Sequence, residues 1–187
     1  NQAISYSQGP DVLVTSVTAD AIGYSGVSMH MEADLTNVGG ADANDFGARF
    51  HVSRDTVSSP DDRALGDAPG VQSAGPGITV HFELDVPLPA DLSPGEYYIL
   101  AEADPTDAVN EDSEGNNFGV FGPFPLGVPA PDLTVDGISV PAEARPGDAF
   151  DLHWVVRNLG NDVATGVPYS LVISENNVVT ASDRAIF

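Results

Sequence analysis

A repeat spaced by 121 residues constrains this chain more than any other feature. Pro10-Asp11-Val12-Leu13-Val14 returns as Pro131-Asp132-Leu133-Thr134-Val135, and Asn37-Val38-Gly39 returns as Asn158-Leu159-Gly160. Ser53 returns as Ser174, and Asp62-Arg63-Ala64-Leu65 as Asp183-Arg184-Ala185-Ile186. No gap is needed across this span. A fixed period means one structural unit used more than once. The first copy runs from Pro10 to Ala130; the second starts at Pro131 and covers 57 of the 187 residues. The expectation is one whole domain followed by the first half of another, which lacks everything after its fourth strand.

Each copy alternates apolar and polar residues with a period of two, the mark of a strand with one buried and one wet face. Val27, Met29, Met31, Ala33 and Leu35 form one apolar series, and Phe46, Ala48, Phe50 and Val52 a second. Ile78, Val80, Phe82, Leu84 and Val86 form a third, and Tyr97, Ile99, Ala101 and Ala103 a fourth. Asp11 to Thr18 and Phe118 to Phe121 read as two further strands. In the second copy Phe150, Leu152, Trp154 and Val156 repeat the pattern, followed by Val167, Tyr169, Leu171 and Ile173. No helical period is present, and the 19 Gly and 15 Pro cluster between the runs as turn residues. Some seven short strands per copy predict an all-β fold: an antiparallel β-sandwich in tandem, its second copy incomplete. Tyr97 follows Pro94-Gly95-Glu96, the place where sandwiches put a corner tyrosine that bonds back to the backbone. The boundaries read as an extension at 1–9, a domain at 10–121, a Pro-rich spacer at 122–131 and a half domain at 132–187. The chain begins Asn1-Gln2-Ala3, without a Met or a leader, and breaks off in mid-pattern, so it reads as a piece of a longer polypeptide.

Twenty-eight acidic side chains face six basic ones, all Arg, for a net charge of -22. Phosphate binding needs a Lys/Arg footprint, so nucleic acid is excluded as a partner, and so is a polybasic contact with anionic lipid. No stretch has the apolar length of a membrane span. Without Cys there is no disulfide framework and no thiolate metal site. Self-repulsion at this charge is relieved by salt or divalent cations. The composition therefore fits a salty or calcium-containing setting, outside the cell or in a halophile, or equally an acidic coat kept for solubility.

The Pro-Asp-Val/Leu start, the Asn-x-Gly after the second strand, the Ser-x-Asp after the third and Asp62-x-x-Leu65-Gly66 together resemble a known family. So do Leu92-Ser93-Pro94-Gly95-Glu96-Tyr97-Tyr98 and the series Asp104, Asn110, Glu111, Glu114, Asn116 and Asn117. In order and spacing they resemble the CARDB domain, the cell-adhesion-related domain of bacteria and archaea. The resemblance covers Asp11 to about Val120 in full and Asp132 to Phe187 as a half domain. It implies Ig-like sandwiches, usually in tandem, in secreted or surface-attached proteins, and a largely non-catalytic role.

No nucleophile elbow, phosphate loop, His-Glu-x-x-His or EF-hand loop is present. The strongest ligand candidate is calcium, which takes carboxylate, amide and carbonyl oxygens from flexible loops. One loop offers Asp104, Asp107, Asn110, Glu111 and Glu114; another runs from Ser53 through Asp55, Asp61 and Asp62 to Asp67. The competing reading gives Asn116 and Asn117 turn-forming roles and leaves Glu111 and Glu114 at a solvated tip. His30, His51, His81 and His153 fall in the polar phase of strands, with His30 and His81 as a candidate cross-strand transition-metal pair. Asp62-Arg63 and Asp183-Arg184 read as a local ion pair or a turn.

A half sandwich leaves Phe150, Trp154, Tyr169 and Leu171 facing nothing, and an exposed apolar face invites association. Three outcomes stand open: a symmetric partner, strand addition from another chain, or a clipped chain with an artificially bared face. The function expected is a non-catalytic extracellular adhesion or spacer module stiffened by calcium. The alternative is an accessory ligand- or glycan-binding module of a secreted hydrolase, with Tyr24, Tyr98 and Phe121 as its aromatics and a surface protein or glycan as ligand.

Overall fold

The computed structural model describes residues 8–145 and 147–186. It divides between Val128 and Pro129 into two units. Most of the expected N-terminal extension, residues 1–7, lies outside the described residues, as does Phe187. No helix occurs among the described residues.

Unit 1 contains ten strands: β1 (Val12–Ala19), β2 (Gly23–Tyr24), β3 (Ser28–Asn37), β4 (Ala43–Phe46), β5 (Ala48–Ser53), β6 (Arg63–Asp67), β7 (Gln72–Ala74), β8 (Thr79–Pro87), β9 (Gly95–Ala103) and β10 (Phe118–Gly127). One sheet has the order β1-β3-β8, the other β2-β10-β9-β5-β6, and β4 pairs with β7. All pairs are antiparallel except β10 with β2. The alternation read in the sequence sets which residues go inside. Met29, Met31, Ala33 and Leu35 of β3 are buried, and so are Phe46, Ala48, Phe50 and Val52. Tyr97, Ile99, Ala101 and Ala103 complete the other layer. Phe46 meets Phe82 with ring centroids 6.1 Å apart. The β8 series is less deep than its pattern suggests. Phe82 is buried and Val80, Leu84 and Val86 are partly so, but Ile78 is 53% exposed, because β8 is an edge strand and Ile78 precedes it.

Tyr97 is buried and its hydroxyl donates to the Ser93 carbonyl at 3.0 Å. The corner tyrosine is therefore present. One boundary needs correction: residues 122–127 are not a spacer. β10 runs through them to Gly127, and Phe124 and Leu126 enter the core. The strand tolerates Pro123 because its register shifts between Phe121 and Phe124, and a bulge needs no ladder donor.

Unit 2 contains β11 (Leu133–Ser139) paired with β12 (His153–Asn158), and β13 (Val172–Ile173) paired with β14 (Arg184–Ala185). The repeat is carried down to register. Val12 pairs with Asn37 and Leu133 with Asn158, with bulges at Val14/Ser16 and Val135/Gly137. Val52 pairs with Arg63 and Ile173 with Arg184. The strand expected over Val167–Ile173 shrinks to two residues. Its counterpart β5 lies between β6 and β9, whereas among the described residues β13 pairs only with β14. Among the described residues, none in unit 2 is buried.

Candidate functional site

The acidic loop between β9 and β10 is positioned by hydrogen bonds rather than by regular structure. Asp104 is 5% exposed and stands at positive φ. Its Oδ2 accepts from the Val109 N–H at 2.7 Å, while its own N–H donates to the Gly47 carbonyl at 2.9 Å. From there the loop reaches the start of β1. Glu111 Oε1 accepts from the Val12 N–H, and the Asp112 N–H donates to the Pro10 carbonyl at 2.9 Å. Asn116 Nδ2 donates to Asp11 Oδ1 at 2.8 Å. Asn117, 7% exposed, donates to Glu111 Oε2 at 2.7 Å and to Glu114 Oε2 at 3.3 Å. The Glu111 N–H donates to Glu114 Oε1 at 3.3 Å. The loop is thus a clasp that fastens the first strand 99 residues away in sequence.

Burial pushes the Glu111 carboxyl above its usual range, with the nearby Glu114 and Asp104 charges adding to it; the bonds from Val12 and Asn117 pull the other way. Asp107 and Asn110 are exposed. Of the five residues proposed for calcium, Asp104, Glu111 and Glu114 are drawn into the clasp. Among the described residues, no group of three or more His, Asp or Glu side chains is arranged to hold a metal ion. What the loop retains are three buried oxygens, Asp104 Oδ1, Asn116 Oδ1 and Asn117 Oδ1, that accept no hydrogen bond from the described residues.

The second acidic loop is occupied by turn capping. Asp55 Oδ1 accepts from the Val57 N–H at 2.8 Å and Asp62 Oδ2 from the Ser59 N–H at 2.7 Å. Asp67 is held by Arg49 through a two-bond pair of 2.6 and 3.2 Å, which keeps its carboxyl below the usual range. Arg63 pairs with Asp91 at 2.6 Å rather than with Asp62, so that pair is not local.

The β3–β8 register sets His30 opposite Asp85 and His81 opposite Asp34. His30 bonds Asp85 at 3.0 Å and Glu32 at 3.2 Å, and His81 bonds Asp34 at 2.8 Å. The two histidines lie on neighbouring strands but each is matched to carboxylates, so they do not form the imagined metal pair. His51 meets Glu102 at 2.9 Å. Of the three aromatics expected to serve a glycan, Phe121 packs with Phe124 against the core, with ring centroids 6.4 Å apart.

Asn37 is the residue that pattern reading undervalued. It is fully buried, accepts from the Asp11 and Gly39 N–H groups, and donates to the Ala41 and Ala74 carbonyls. Asn158 repeats three of these bonds, with Asp132, Gly160 and Asp162. A Cβ at Gly39 would stand 2.2 Å from the Gly9 carbonyl oxygen, and one at Gly160 2.3 Å from that of Ala130, so both turns admit only glycine. The signal was in the repeated Asn-x-Gly itself. On unit 2, Phe150 and Tyr169 are exposed and Trp154 and Leu171 half-buried, and the four divide between two hollows. Trp154 and Tyr169, with ring centroids 5.4 Å apart, line one of about 820 Å³; Phe150 and Leu171 line one of about 440 Å³.

Among the described residues, no helix is long and apolar enough to cross a membrane. No curated protein matches the chain. Similar solved structures include the CARDB domain of a Pyrococcus furiosus protein in complex with di-metal ions, 18% identical, covering 66% of this chain and 98% of that one at a TM-score of 0.49. A domain of a proposed cell-surface protein from Methanosarcina acetivorans is 22% identical, covering 64% and 91% at 0.40. A Listeria innocua β-glucosidase is 12% identical, and the match covers 64% of this chain but 16% of that one at 0.40. The CARDB family model matches residues 9–120. That span is more than half of the 187 residues, and the chain belongs to the CARDB family, a family of non-catalytic domains.

Proposed function

We propose that this chain is an extracellular or cell-surface module with a mechanical role, acting as a spacer or an adhesive stalk. The observation that carries this reading is how its polar residues are spent. Asn37 and Asn116 bond Asp11 at the start of the first strand, Glu111 accepts from the Val12 N–H, and Asn117 holds Glu111 in place, so together they fasten that strand to the body of the sandwich. Strand fastening of this kind suits a domain that bears load along its chain. The acid-rich coat suits a salty exterior, where screening relieves self-repulsion. Calcium at the Asp104–Asn117 loop is part of the proposal. It is supported by the three buried oxygens without a donor, since such groups call for a water or an ion.

Thermal melts test both parts. The melting temperature of unit 1 rises with NaCl, and a flat response returns the charge to solubility alone. EDTA at fixed ionic strength lowers the melting temperature if calcium stiffens the loop; no change removes calcium and leaves the spacer reading standing. Protease shaving of intact source cells releases the module if it is on the surface. A second reading, glycan binding, is favoured by the Trp154–Tyr169 hollow with Asn158, Asn161 and Asp162 at its lining. A glycan array read through Trp154 fluorescence tests it.

A further inference from the structure

We propose that the exposed face of unit 2 is half of a second sandwich core, and that it takes up a polypeptide segment built like β8–β10. This segment adds a strand along the free edge of β12 and two more from the edge of β13, which extend the layer of Tyr169 and Leu171 opposite Trp154. The proposal does not depend on the surface role.

The repeat supplies the argument. Phe150, Leu152, Trp154 and Val156 stand where unit 1 has Met29, Met31, Ala33 and Leu35, and Tyr169 and Leu171 stand where it has Ala48 and Phe50. Each of those unit 1 residues is at most 1% exposed. Register, bulge and turn bonds coincide between the units, so the same positions point the same way. In unit 1 β8 pairs along β3 from Ser28 to Thr36, and β9 lies between β5 and β10. Among the described residues of unit 2, β12 pairs with β11 alone and β13 with β14 alone. Edges with unpaired N–H and C=O groups are templates for strand addition.

The occupant follows from what is uncovered. A second copy of unit 2 would bring another β11–β14 set and no counterpart of β9, so the edge of β13 would stay open. A sugar would fill the Trp154 hollow but leave the β12 edge and the Phe150–Leu171 hollow bare. A β8–β10 segment meets all three. Charge adds direction: β12 carries His153 at the position of Glu32, which faces Glu83 in unit 1. An acid at that place in the incoming strand would face a histidine instead of another acid.

Trp154 is the chain's single tryptophan, so its fluorescence reports on unit 2 alone. The test fuses a copy of residues 67–127 after Phe187, where the repeat places it in register. The appended copy carries Asp85→Thr, so that no acid faces Asp151. Trp154 emission shifts to the blue on fusion, and β12 amides exchange roughly 100-fold more slowly than in the unfused chain. The same fusion with Phe82→Asp in the appended copy leaves Trp154 as it was, while unit 1 remains folded as the internal control. An exposed-type Trp154 spectrum in the first fusion overturns the proposal. So does the unfused chain forming a dimer with a buried Trp154, which makes a second copy the occupant, or a glycan that alone protects the β12 amides.

Discussion

Asn37 and Asn158 make the same turn with three bonds in common, yet one is fully buried and the other exposed. The two units agree in the register and bulge of their first strand pair, in their Asx turns and in the contacts of Gly39 and Gly160. They differ in everything that needs an opposing layer. Unit 1 has a core of some two dozen buried apolar side chains, and the described residues of unit 2 have none. Hydrogen-bond geometry is a short-range property of the chain, whereas burial requires a second sheet to exclude water.

Paired substitutions at equivalent positions can break this comparison, and the largest effect belongs to the core. Phe50→Ala costs about 3–5 kcal/mol of unit 1 stability through lost contact and cavity formation. Leu171→Ala changes unit 2 by no more than about 0.5 kcal/mol, as at an ordinary surface site. Urea unfolding followed by far-UV signal for unit 1 and by Trp154 for unit 2 measures both; equal losses would mean that unit 2 has a core of its own.

The turn comes next. Asn37→Ala strands two N–H groups and two carbonyls, one of those bonds fully buried, for about 2–4 kcal/mol. Asn158→Ala in its exposed setting costs under about 1 kcal/mol. Smaller again is Glu111→Ala, at about 1–3 kcal/mol, because it leaves the Val12 N–H without its acceptor. Hydrogen exchange at Val12 should accelerate, while Leu133, where the described residues of unit 2 provide no such clasp, stays unchanged.

The smallest effect is on pH. His30 is raised by its bonds to Glu32 and Asp85, and His81 by its bond to Asp34. A raised folded pKa means the imidazolium form is favoured by folding. Its contribution is complete below the unfolded histidine value of about 6.5 and is lost as pH rises through the folded value. Both groups are exposed, so the slope is shallow. His30→Gln with His81→Gln removes it, as melting temperatures of unit 1 between about pH 6 and 8 will record; an unchanged slope would assign it elsewhere.

Much of unit 1 could be read from its residues. The alternation in Ser28–Asn37 and Ala48–Ser53 named the buried face, and the Pro-Gly-Glu-Tyr corner gave the Tyr97–Ser93 bond. The spacer at 122–127 was misread because proline density resembles a linker, whereas a bulge in β10 absorbs it. The acidic loop was read only in part. Its spacing marked it as special, but nothing local says that Glu111 meets Val12, since that contact spans most of the domain.

The residue order alone therefore determined the main strands of unit 1 and their faces, the repeated turns and the charge of the coat, because each depends on neighbours along the chain. Only the tertiary structure decided that Asp104, Glu111 and Glu114 serve a clasp and that His30 and His81 are matched to carboxylates. Those outcomes depend on which distant strands are present to meet them.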